Sequence, residues 1–223
     1  MSVKDFMTKE LVVVDPQTKI FDAVDLMKKY EIHRLPVVEN NSLIGLITEG
    51  TIQAAMPSQA TSLSVFEINY LLNKTTVNDV MIRDVQTIAP NDLLEDAIYL
   101  MRKKNIGVLP VVDMRENLVG IITNNDIFDA FLKITGYTDG GTRIQLRIEK
   151  DQRGVLAEVC QVLSSHGYNI ATVVVNRNET ETIIEFQIST QEVKELKEFL
   201  EAEGYTVLEA MLTNVKKIGM SKV

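Results

Sequence analysis

An internal repeat constrains this chain more than any other feature. The run Val3-Lys-Asp-Phe-Met7 returns 74 residues later as Val77-Asn-Asp-Val-Met81, and the correspondence continues for about fifty positions. Asp15-Pro16 falls on Ala89-Pro90. Ile20, Ala23, Val24 and Met27 fall on Leu94, Ala97, Ile98 and Met101, and both sets have the i, i+3, i+4, i+7 spacing of one apolar helix face. Leu35-Pro36-Val37-Val38 matches Leu109-Pro110-Val111-Val112, β-branched runs that read as buried strands. After one inserted residue, Gly45-Leu-Ile-Thr48 meets Gly120-Ile-Ile-Thr123. Each unit reads helix, strand, strand, helix, preceded by an extended piece near residues 10–14 or 84–88. A sheet covered on only one face must bury the other, so two such units are expected to pack as a pseudo-twofold pair.

Between the repeats, Ser64-Val-Phe-Glu67 has the capping-box pattern, followed by Val65, Ile68, Leu71 and Leu72 at helical spacing. A linking helix is predicted within residues 57–76. With 223 residues and 45% hydrophobic content, more than one domain is expected. A net charge of −8 argues against a sequence-independent grip on nucleic acid, which needs clustered Lys and Arg to displace counterions. Cys160 is the only cysteine, so no intrachain disulfide can form. No stretch has signal-peptide order or the roughly 20 apolar residues that cross a bilayer. A cytoplasmic protein with no membrane partner is the expectation.

The order Met…Pro…helix…Leu-Pro-Val-Val…Gly-(Leu or Ile)-Ile-Thr, present twice at matching spacing and with His33-Arg34 before the Leu-Pro of repeat one, resembles the CBS domain. The resemblance covers roughly residues 1–134, with repeat one at 1–56 and repeat two at 77–136. It implies a Bateman module, a regulatory pair that commonly binds adenosine-containing ligands in clefts between the repeats. No cofactor is then required; an adenine nucleotide is the regulatory ligand.

A ribose offers two neighbouring hydroxyl donors, and a carboxylate two matching acceptors. Asp126 can supply that grip, at the start of the helix carrying Ile127, Ala130, Phe131 and Ile134, where backbone N–H groups and the helix dipole favour phosphate. Thr123, three residues earlier, could add a donor; the matching Thr-x-x-Asp of CBS domains commonly contacts phosphate and ribose. The alternative is that Thr123 and Asp126 form a helix cap. Repeat one departs from the pattern, with Thr51 where repeat two has Asp126. It carries instead His33-Arg34 where repeat two has Gly107-Val108. This pair resembles the phosphate-binding pair in the regulatory subunit of AMP-activated protein kinase. The sequence therefore suggests one dominant composite site, with Arg34 reaching phosphate from the other repeat. A surface ion pair for Arg34 and a packed imidazole for His33 are the competing readings. Val85 and Ile106 are candidate apolar walls for adenine, or simply core.

Beyond the turn-rich Tyr137–Gly141 stretch, the pattern changes. Arg143–Ile148 alternates like a strand. Leu156, Val159, Cys160 and Leu163 mark a helix that Gly167 closes. Ile170–Val175 and Thr182–Ile188 read as strands joined by a turn at Asn176-Arg-Asn-Glu. A second helix at Val193–Ala202 and a last strand at Tyr205–Leu212 complete βαββαβ, the order of a ferredoxin-like unit. With Asp151-Gln-Arg-Gly154 on the first turn and Asn169-Ile170 opening the second strand, residues 142–213 resemble the ACT domain, leaving a tail at 214–223. The resemblance implies paired sheets and an amino acid near that turn, on Asp151, Gly154 and Asn169. Otherwise Asp151 caps the helix, Gly154 permits packing and the domain only dimerises.

The whole order is similar to the acetoin utilization protein AcuB family. The fold class is thus α+β, a tandem CBS pair followed by a ferredoxin-like ACT domain. The expected function is non-catalytic adenine-nucleotide sensing, with a candidate amino-acid site, a homodimer and an unnamed target protein. A ligand-independent dimerisation scaffold and a cyclic di-AMP receptor are the alternatives. An enzyme is not expected: the chain has two histidines and no metal, P-loop or dinucleotide motif, and Cys160 sits at a core-facing helix position.

Overall fold

A computed structural model of the chain describes residues 1–55, 74–178 and 181–213. The predicted linking helix, apart from its last three residues, and the tail at 214–223 lie outside the described residues. The chain divides into two compact units, Met1–Ile127 and Phe128–Val223.

In the first unit, a 3-10 turn at Val3–Asp5 precedes α1 (Ile20–Tyr30), β1 (Arg34–Glu39), β2 (Ser42–Thr48) and α2 (Glu49–Ala55). The second repeat runs through α3 (Val77–Val80), α4 (Leu94–Lys104), β3 (Val108–Val112), β4 (Leu118–Thr123) and α5 (Asn124–Ile134). The unit boundary falls inside α5, where Ala130 is buried and Phe131 exposed. The repeat carries through to atomic detail. β1 pairs antiparallel with β2, and β3 with β4, each with a register shift before the last pair or pairs. The extended pieces ahead of α1 and α4 join in parallel, Val14 beside Val37 and Ile88 beside Val111. Ile20, Ala23 and Met27 bury the predicted face of α1, and Leu94, Ala97 and Met101 that of α4.

The repeats are also stitched together reciprocally. Thr8 and Ile121 exchange two backbone hydrogen bonds of 2.9 and 3.0 Å, and Leu46 and Ile82 exchange two of 2.9 and 2.8 Å. Beside each stitch, a methionine lies over a glycine of the other repeat: Met7 fills the place a side chain at Gly120 would need, and Met81 does the same at Gly45. The motif methionine and the strand glycine are therefore two halves of one contact.

The second unit contains β5 (Gly141–Ile148), α6 (Val155–Ser165), β6 (Ile170–Arg177), β7 (Thr182–Ile188), α7 (Val193–Ala202) and β8 (Thr206–Thr213). The sheet order β6-β7-β5-β8, antiparallel throughout, is that of a ferredoxin-like βαββαβ unit. Ile144, Leu146, Ile184, Phe186 and Ile188 meet Val159, Leu163, Leu196 and Leu200 in its core. Both helices end on a glycine at positive φ, Gly167 at 79° and Gly204 at 89°, and the following Tyr168 and Tyr205 donate back to Leu163 and Leu200.

Two sequence expectations are corrected here. β6 continues through Arg177, because Asn176 and Arg177 stay in register with Ile183 and Thr182; the turn begins at Asn178. On α6 the buried face is set by Val159 and Leu163 with Val155 and the half-buried Cys160 packed against the core, whereas Leu156 is 41% exposed. Among the described residues, no helix is long and apolar enough to cross a membrane.

Candidate functional site

Two cavities in the first unit are related by the repeat. Cleft one, of about 510 Å³, is formed by the piece ahead of α1 (Thr8 and Glu10 to Val12), the α1–β1 turn (Glu31 to Arg34) and the β4–α5 junction (Thr123 to Asp126). Cleft two, of about 380 Å³, uses the matching parts: Ile82 and Asp84 to Gln86, Asn105 to Val108, and Thr48 to Gly50. His33, Arg34 and Gly107 line both.

Asp126, Thr123, Arg34 and His33 thus meet in cleft one. Val85 and Ile106 lie in cleft two, where they share the lining with His33 and Arg34 but not with Asp126 and Thr123. The matching apolar positions in cleft one are Leu11 and Ile32, the residues 74 positions earlier. The repeat offset held this information, but each cleft draws these apolar residues and its strand-to-helix threonine corner (Thr123 in cleft one, Thr48 in cleft two) from opposite repeats, a crossing visible only in three dimensions.

At that corner, Asp126 works as part of the α5 cap. Its Oδ2 accepts from the Thr123 backbone N–H and hydroxyl, both at 2.7 Å, so the Thr123 proton is already engaged. Oδ1 has only a long 3.4 Å contact from the Thr8 hydroxyl. Repeat one builds the equivalent cap without a carboxylate: the Thr48 N–H donates to Thr51 Oγ1 at 3.0 Å and the Thr51 N–H to Thr48 Oγ1 at 3.1 Å. A threonine is therefore sufficient for the cap. The carboxylate adds acceptor capacity on the cleft side.

His33 is exposed rather than packed, with Nδ1 3.1 Å from Glu49 Oε1. The Arg34 guanidinium makes no hydrogen bond or ion pair among the described residues. Gly107 is a site residue that the sequence reading passed over. A Cβ there would stand 3.3 Å from the Arg34 guanidinium and 2.9 Å from Asn124 Nδ2. The glycine that replaces His33 in repeat two leaves the space that Arg34 occupies.

In the second unit, a cavity of about 490 Å³ lies at the β5–α6 turn, lined by Asp151, Gly154, Leu156, Cys160, Val175 and Arg177 among others. Gly154 takes φ 97° at the N-terminus of α6, a conformation that disfavours any side chain. Asp151 does not cap the helix. Its Oδ2 accepts from Arg177 Nε at 2.7 Å and from Thr182 Oγ1 at 3.3 Å, and the Arg177 hydrogen bond holds the carboxyl below the usual carboxylate range. Burial pushes the Cys160 thiol up, away from a reactive thiolate. Asn169 is not part of this cavity; it stands at the other end of β6, where its side chain donates to Ser189 Oγ at 3.1 Å. Arg177 takes its place in the group, hidden in the sequence because it looked like a turn residue.

The CBS domain model matches residues 3–58 and 77–133, and the ACT domain model matches residues 142–204. The CBS domain-containing protein YhcV of Bacillus subtilis is 36% identical over 126 residues, 56% of this chain and 82% of that protein. A Vibrio cholerae protein assigned to acetoin utilization (AcuB) superposes with a TM-score of 0.53 at 29% identity, covering 62% of this chain and 96% of that one. CBSX2 of Arabidopsis thaliana, solved in complex with AMP, gives 0.50 at 32% identity, covering 60% and 97%.

Proposed function

This chain belongs to the CBS domain family and carries a C-terminal ACT domain, and on that footing we propose that it is a non-catalytic regulatory protein that binds an adenine nucleotide in cleft one. The observation that carries the reading is the meeting of an unpaired Arg34 with the cleft-facing Asp126 carboxylate, between Leu11 and Ile32, in a cavity of about 510 Å³. Asp126 Oδ1 receives the ribose hydroxyls, Arg34 offers a planar fork to phosphate, and the two apolar side chains flank the base. CBSX2 supports the choice of ligand, since it is a CBS pair solved with AMP.

The ACT domain adds a candidate amino-acid site at the Gly154 turn, where Arg177 and Asp151 offer both charges an amino acid needs. Its edge strands β6 and β8 each have one sheet neighbour, leaving main-chain groups for a second copy. The assembly is then a homodimer that reports to a target protein in the cytoplasm.

A second reading has its own support: the Thr123–Asp126 cap accounts for both residues without any ligand, as a dimerisation scaffold requires. Thermal shift separates the two. A ligand that binds only the folded form adds RT ln(1 + [L]/Kd), about 2.7 kcal/mol at a hundredfold excess over Kd. A panel of AMP, ADP, ATP, NAD, S-adenosylmethionine and cyclic di-AMP, with and without amino acids, is expected to give its largest shift with an adenosine monophosphate. No response to any member favours the scaffold, and a response to cyclic di-AMP alone favours that receptor.

A further inference from the structure

We infer that the paired clefts admit a single phosphate group: the ligand is an adenosyl compound carrying one phosphate, and Glu10 and Glu31 turn away di- and triphosphates. The inference rests on the nucleotide reading above and specifies its ligand. Among the described residues, Arg34 is the only Lys or Arg lining either cleft. The position matching it in repeat two is the buried Val108, so no second cation arrives from the other half. Gly107 leaves room for that one guanidinium at the place common to both cavities.

Carboxylates outnumber it. Cleft one is lined by Glu10, Glu31 and Asp126, and cleft two by Asp84 and Glu49, the latter facing the His33 ring. Glu10 and Glu31 are exposed, and their carboxylates have no hydrogen bond or ion pair among the described residues. One planar fork satisfies the oxygens of one phosphate. Each further phosphate adds negative charge against the glutamates without a second Lys or Arg to offset it, and the same guanidinium cannot serve a second phosphate in the other cleft.

Isothermal titration at low salt, without divalent cations, tests this with adenosine, AMP, ADP and ATP. The expected result is AMP binding with one molecule per chain and ATP binding at least tenfold more weakly. In the double variant Glu10→Gln/Glu31→Gln the gap between AMP and ATP narrows at least threefold. The control Glu39→Gln/Glu95→Gln removes the same charge from exposed positions outside both clefts and leaves the gap in place. ATP binding as tightly as AMP, two equal AMP sites per chain, or the same narrowing in both variants overturns the inference. Failure of adenosine and AMP alike to bind a folded chain removes the underlying nucleotide reading, and this one with it.

Discussion

Asp126 serves a helix cap and a cleft at once, and the two duties come apart in one substitution. Repeat one shows that threonine caps the same helix start, so Asp126→Thr is expected to keep the melting temperature within a few degrees while weakening AMP at least tenfold. Asp126→Ala loses both, with a stability cost of about 0.5–2 kcal/mol for the missing cap. Arg34→Ala, removing a guanidinium with no protein partner, should weaken AMP much more than adenosine; equal losses in titration would take the phosphate role from it. In the ACT unit the Asp151 carboxyl titrates below its unfolded value near about 3.9. Its depressed value means that the stabilisation is present above that unfolded value and is lost as pH falls through the folded one. Urea unfolding of wild type and Asp151→Asn is therefore expected to differ at pH 7 and to converge in acid.

At the scale of elements, the repeat offset made the architecture legible because it recorded paired constraints rather than propensities. Helix faces at Ile20 and Leu94 and strands at Leu35 and Leu109 follow from apolar spacing that both copies share. What stayed hidden was contact across the pseudo-twofold. Met7 and Gly120 are 113 residues apart, and no periodicity links them. Gly120→Ala should cost roughly 1–3 kcal/mol by forcing Met7 aside. Measured by denaturant unfolding, Met7→Ala in the same chain should recover part of that loss, whereas fully additive losses would argue against the contact. The separation of Val85 and Ile106 from Asp126 has the same origin. They belong to the repeat that supplies Asp126, yet the crossing places them in the other cleft. Arg177 was missed for a local reason: a polar run at a strand end has turn composition, and only its register with Thr182 keeps it in β6.

For the whole molecule, the account joins a nucleotide cleft in one unit to a candidate amino-acid cavity in the other. If the two are coupled, linkage makes the coupling reciprocal. Whatever factor a bound amino acid applies to AMP affinity, AMP must apply to the amino acid. Titrations in both orders are expected to return one common factor, and a factor of one in each order would describe two independent modules. The central claim, however, stands on cleft one alone. Its most direct measurement is isothermal titration of AMP into the full-length wild type and into Asp126→Thr. The account predicts saturable binding in the wild type and at least a tenfold weaker Kd in a variant that melts like it. Absence of binding in the wild type, or an unchanged Kd in the variant, would contradict it.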